Sequence, residues 1–139
     1  MKLFTVYKTN GQIVQSGMCA DNDFELQSLN DGEYVIEGIS DPINDYVINK
    51  CVVKKPPKPE GFFVFDYELH QWVPDIEMQK IQVKTKRDNL LFKSDWTQIP
   101  NNPLIPEKQA EWADYRQQLR DITQQSGYPF NVVWPTQPA

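Results

Sequence analysis

Arg87-Asp88-Asn89-Leu90-Leu91-Phe92-Lys93-Ser94-Asp95-Trp96-Thr97-Gln98 and Trp112-Ala113-Asp114-Tyr115-Arg116-Gln117-Gln118-Leu119-Arg120-Asp121-Ile122 flank a segment punctuated by Pro100, Pro103 and Pro106. In the second stretch Trp112, Tyr115, Leu119 and Ile122 recur at intervals of three, four and three, which places them on one stripe of a helix. Pro106 fits the first turn of that helix, where its missing N–H costs nothing, and Glu107 suits the positive end of the helix dipole. Gly127 is the expected left-handed terminator. Upstream, Asp75 is suited to cap another helix, and Ile76, Lys80, Ile81, Lys84, Arg87, Leu90 and Leu91 alternate between two faces at helical spacing. That helix is predicted to run to about Lys93 and to stop in Ser94–Gln98. The prolines that follow predict a rigid, non-helical crossover. Tyr128-Pro129-Phe130-Asn131-Val132-Val133-Trp134-Pro135 is then predicted to be extended and to fold back to bury its aromatic rings.

Working outward, residues before Asp75 read as β-structure. Leu3–Tyr7 and Ile13–Gln15 flank Thr9-Asn10-Gly11-Gln12, and Asn-Gly supplies the positive φ angles of a tight hairpin. Glu33–Glu37, after the Asp31-Gly32 turn signal, and the β-branched Tyr46–Ile48 and Cys51–Val53 read as a third and a fourth strand. Asp21–Leu26 reads as a loop or a single helical turn. Lys54-Lys55-Pro56-Pro57-Lys58-Pro59-Glu60-Gly61 cannot continue a central strand, because prolines remove donors and favour an extended conformation. Beyond it, Phe62–Phe65 and Gln71–Val73 bracket a polar tip, predicting a small aromatic hairpin that ends at Pro74. The fold class is therefore α+β. A small antiparallel β domain spans residues 1–53, a Pro-rich linker with a hairpin spans 54–74, and a two-helix hairpin closed by an extended Trp-Pro tail spans 75–139.

Composition narrows the chemistry. The formal net charge is −5, and the acidity belongs to residues 1–74, which hold 11 Asp and Glu against 6 Lys and Arg, while residues 75–139 hold 8 of each. Phosphate binding needs clustered cations, so a nucleic-acid partner is not expected. Lys80, Lys84 and Arg87 share a helical face and read as a solvated one. The single histidine, His70, has no partner imidazole, and Cys19 and Cys51 lack ligand spacing, so no metal centre is expected. Both cysteines lie in strand-like apolar stretches and read as buried free thiols. Asp21-Asn22-Asp23 begins like a calcium loop, but Leu26 stands where glycine is needed and Gly32 where a closing Glu should be. No phosphate-cradling glycine loop or serine elbow is present, so no catalytic residue or cofactor is assigned and an enzyme is not expected. The start, Met1 to Tyr7, is too short and too alternating for a leader or a membrane span, so synthesis in a cytosol without membrane insertion is expected.

Taken in order, the helix ending in Ser94-Asp95-Trp96-Thr97, the proline crossover with Pro103-Leu104, the Trp112-x-x-Tyr115-Arg116 helix, Gly127-Tyr128-Pro129 and the Trp134-Pro135 finish resemble a known pattern. It is similar to the phage tail assembly chaperone-like domain of tail-fibre and tail-fibre-assembly proteins of tailed phages, over about residues 75–137. The sequence differs from that pattern at Thr123, where a proline commonly ends the second helix, and at Asn101, where an acidic residue often precedes the crossover. The resemblance implies structural roles for Arg87, Leu90, Leu91, Ser94, Asp95, Trp96, Thr97, Gln98, Trp112, Tyr115, Arg116, Leu119, Arg120 and Trp134. Trp96 is expected against Trp112 and Tyr115, and Trp134 is expected to close the open side of the hairpin. Arg116 and Arg120 are expected to reach Asp95 or Asp121, or carbonyls of the crossover. It further implies a non-enzymatic tail protein, made in the host bacterial cytoplasm and located in the virion tail. The first reading is a small fibre- or baseplate-associated subunit that contacts other tail proteins, with self-association left open. Alternatives are a transient fibre-assembly chaperone and a host-surface glycan-binding module using Phe65 and Trp72.

Overall fold

The computed structural model describes residues 1–28 and 30–139 and divides into two units, Met1–Pro74 and Asp75–Ala139. The first unit is built on β1 (Lys2–Lys8), which pairs antiparallel with β2 (Ile13–Cys19) on one side and β3 (Glu33–Glu37) on the other. Phe4, Thr5, Val6 and Tyr7 are all buried, so this central strand is covered on both faces. Thr5 tolerates this because its hydroxyl lies within hydrogen-bond distance of Ser16 Oγ, Ser40 Oγ and the Gly38 carbonyl.

The β1–β2 turn explains its glycine differently from the sequence expectation. Only Gly11 takes a positive φ there, +91°, and the register shifts after Val6 so that Tyr7 faces Ile13. A Cβ on Gly11 would lie 2.2 Å from the Val47 carbonyl oxygen, and Val47 N–H donates to the Gly11 carbonyl at 2.9 Å. Gly11 thus serves close approach as well as the turn. Val47 belongs to β4 (Asp45–Ile48), and it packs with Tyr7, Ile13 and Ile36 in the core of this unit.

The segment read as one fourth strand is two strands. β4 turns back into β5 (Cys51–Lys54) through Asn49 and Lys50, both at positive φ, the two-residue form that matches strand twist. Cys51 is consequently exposed and Cys19 only half-buried, which corrects the expectation of two buried thiols. Asp21–Asp23 and Glu25–Gln27 form two short 3-10 turns. The aromatic hairpin is present as β6 (Phe63–Asp66) and β7 (Gln71–Pro74). It belongs to the same unit as β1–β5, and that unit ends at Pro74, where the sequence also places the start of the helical segment.

The second unit follows the helical reading closely at its starts. α1 spans Ile76–Lys93, capped by the Asp75 carboxylate accepting from Met78 N–H at 3.1 Å. α2 spans Pro106–Arg120 with the proline in its first turn. A 3-10 turn, Asp95–Gln98, follows α1, and another, Asp121–Gln124, follows α2. The inward residues of α1 are Val83, Leu90 and Leu91, whereas Ile76 and Ile81 face outward. Gly127 is not left-handed and does not end α2, which stops at Arg120. Its role is spatial: a Cβ there would sit 2.2 Å from the Asn131 carbonyl oxygen.

Candidate functional site: a sealed helical hairpin

The helical unit is organised by the place where α1 stops. Helix C-termini leave carbonyls without intrahelical partners and carry negative potential, and here they meet a cation. Arg116, on the inner face of α2, donates from Nη1 to the Leu91 carbonyl at 2.6 Å and to Ser94 Oγ at 2.8 Å, and from Nη2 to Asp95 Oδ1 at 2.9 Å. Buried Ser94 completes the knot, its hydroxyl lying 2.8 Å from the Leu90 carbonyl. Thr97, also buried, donates to the Ser94 carbonyl at 2.7 Å and accepts from Gln98 Nε2 at 2.8 Å. Every polar residue of Ser94–Gln98 is therefore spent on shaping one corner.

Apolar packing lies alongside. Trp112, Tyr115 and Leu119 form a buried cluster against Leu90, Leu91, Leu104 and Trp134. Trp96 meets Trp112 edge to face at 5.9 Å, and Trp112 meets Tyr115 at 5.6 Å, geometries that add roughly 0.5–1.5 kcal/mol each beyond area burial. Ile122 is fully buried, although it lies in the 3-10 turn beyond the helix. Burial raises the pKa of the Tyr115 hydroxyl above its ordinary value.

Several expectations are redirected. Arg120 reaches neither Asp95 nor Asp121; it bonds Gln117 Oε1 at the surface. Arg116 finds its carbonyl in the last turn of α1, not in the crossover. Arg87 pairs with its neighbour Asp88. Residues 126–131 form turns, so the extended tail begins at Val132, and Phe130 stays about half exposed rather than folding in. Trp134 does close the hairpin, with Lys86 Nζ 4.2 Å from its ring centroid.

Two positioning residues escaped the sequence reading. Asn102 donates from Nδ2 to the Thr97 and Ile99 carbonyls and accepts from Leu104 N–H, which braces the crossover. Gln125 pins the tail, its amide both donating to the Val133 carbonyl and accepting from Val133 N–H at 2.8 Å. The Asn102-Pro103 pair was a readable turn signal; nothing local marks Gln125. Asn101, singled out as a departure, has φ +61°, a conformation that asparagine tolerates better than most residues.

In the first unit, Phe65 and Trp72 are packed rather than free. Phe65 contacts Tyr46, Tyr67 and Trp72 at centroid distances of 5.1–5.3 Å, and Trp72 Nε1 donates to the Pro56 carbonyl at 2.7 Å. Among the described residues no group of three or more His, Cys, Asp or Glu side chains is placed to hold a metal ion. Among the described residues no helix is long and apolar enough to cross a membrane.

What the second unit defines is a packing module: two helices locked by one arginine and sealed by tryptophans. Residues 80–139 match the family model described as phage tail assembly chaperone protein, which supports a phage tail assembly chaperone-like domain over that stretch. The first unit lies outside that match. No curated protein and no solved structure matches the chain.

Proposed function

We propose that the protein is a non-enzymatic bacteriophage tail assembly chaperone that works by binding another tail protein, of the fibre or the baseplate, in the cytoplasm of the host bacterium. The observation that carries this reading is the family match over the sealed helical hairpin, whose corner residues Arg116 and Thr97 are bonded to its own backbone. Partner contact then falls to exposed apolar side chains, and Phe92, 76% exposed at the end of α1, is the leading one. Phe92→Ala should leave stability within about 0.5 kcal/mol while weakening capture of the tail protein from infected cells. Unchanged capture would remove Phe92 from the contact.

The second reading is the small fibre- or baseplate-associated subunit that stays in the virion tail. The separate β-rich unit, with its own core of Tyr7, Ile13 and Val47, favours it as an attachment module. Quantitative mass spectrometry of purified virions separates the two. Absence from virions, with co-purification of a tail protein from lysate, supports the chaperone; stoichiometric presence replaces it with the subunit. The packing of Phe65 and Trp72 gives no support to a glycan site on that pair of rings.

A further inference from the structure

The first unit carries a cleft outside the family match. Three hairpin tips converge on it: the β1–β2 turn with Asn10, the β4–β5 turn with Asn49 and Lys50, and the β6–β7 turn with Glu68 and His70. Its volume is about 560 Å³, inside the range of small-molecule sites. Its floor and wall include Tyr7 and Tyr34, whose rings lie 5.7 Å apart. Asn49, Lys50 and His70 all hold positive φ, so the tips present side chains into a space that ordinary strand geometry would not line.

The polar groups of this cleft are unspent. Among the described residues, the hydroxyls of Tyr7 and Tyr34, the Asn49 amide, the Glu68 carboxylate and the His70 imidazole have no hydrogen-bond partner, even though Tyr7 is otherwise buried. Burial, together with Tyr34, raises the Tyr7 pKa above its ordinary value. Tyr34, 50% exposed, offers an apolar ring face beside these donors and acceptors. The lining holds one lysine, Lys50, and one glutamate, Glu68, so it has no net charge to select an anion or a cation. Tyr7 and Tyr34 stand opposite each other on the paired strands β1 and β3.

We propose that this cleft binds an uncharged saccharide unit, with a ring of the sugar against Tyr34 and its hydroxyls on Tyr7, Asn49 and Glu68. A pyranose combines an apolar C–H face with hydroxyls that donate and accept, the combination this lining presents. The site is separate from the chaperone-like hairpin, so its fate and that of the proposed function are decided independently.

The test is saturation-transfer difference NMR on the full chain with glucose, galactose, mannose, N-acetylglucosamine and their disaccharides at millimolar concentration. At least one should give saturable transfer, weakened about tenfold by Tyr34→Ala with Tm unchanged. Should Tyr34→Ala lower Tm, the exposed Glu68→Gln variant supplies the same reading, and Trp72→Ala should leave binding intact wherever the fold is kept. No transfer from any of these sugars would overturn the proposal, as would transfer indifferent to Tyr34→Ala and Glu68→Gln. A tail-protein peptide, not a sugar, displaying contacts to Tyr34 and Asn49 would overturn it too.

Discussion

Arg116 is the side chain on which the helical unit turns, because a planar fork can satisfy a carbonyl, a hydroxyl and a carboxylate at once. Arg116→Lys should cost about 1.5–3 kcal/mol in denaturant unfolding, since a point charge cannot reproduce the fork. Asp95→Asn should cost under about 1 kcal/mol, because Asp95 is mostly solvated. Trp112→Ala should cost about 3–5 kcal/mol in the same measurement because its ring is buried, and little change would count against its role in the core. Asp45 is a buried acid-sensitive residue of the first unit. Its burial drives the pKa upward, but the Asp41 N–H on Oδ2 and the Lys54 ammonium 2.9 Å from Oδ1 more than offset this and hold it below 3.8. A depressed folded-state pKa stabilises above the unfolded value and is lost as pH falls through the folded one. Asp45→Asn should therefore remove part of the loss of stability expected below about pH 4; an unaltered acid profile would count against it. Trp112 was readable from spacing alone. The partners of Arg116 were not, because Asp121 lies far nearer in sequence than Asp95, and only folding brings the distant carboxylate to the guanidinium.

Turns and helix ends show how an element can be foreseen while its reason is missed. Asp75 and Pro106 work within one turn of themselves, so both helix starts followed from local sequence. Gly127 did not, because its constraint is the Asn131 backbone pressing on it rather than a left-handed φ. Gly127→Ala should cost about 1–3 kcal/mol through overpacking and loosen the tail around Trp134. A neutral result, read by thermal unfolding and Trp fluorescence, would show that the loop yields freely. Asn49-Lys50 lacks the glycine that marks a tight turn, so β4 and β5 read as one strand until the backbone was seen to reverse. The same exposure of turns put Cys51 outside, although its neighbours are β-branched.

Two cores, one around Tyr7, Ile13 and Val47 and one around Trp112, Tyr115 and Leu119, belong to separate stretches of chain. Hydrogen exchange should register this: Trp112→Ala should speed exchange of α1 and α2 amides and leave β1 unchanged, and spread of the effect into β1 would show a single cooperative body. The α+β class, both helix starts, the proline corner and the aromatic stripe were set by residues acting on near neighbours, where periodicity and capping operate. The grip of Arg116 on the end of α1, the Gln125 clasp on the tail and the cleft at the three hairpin tips arose only on folding. Each joins groups far apart in the chain, and no local preference records which distant backbone will arrive beside a given side chain.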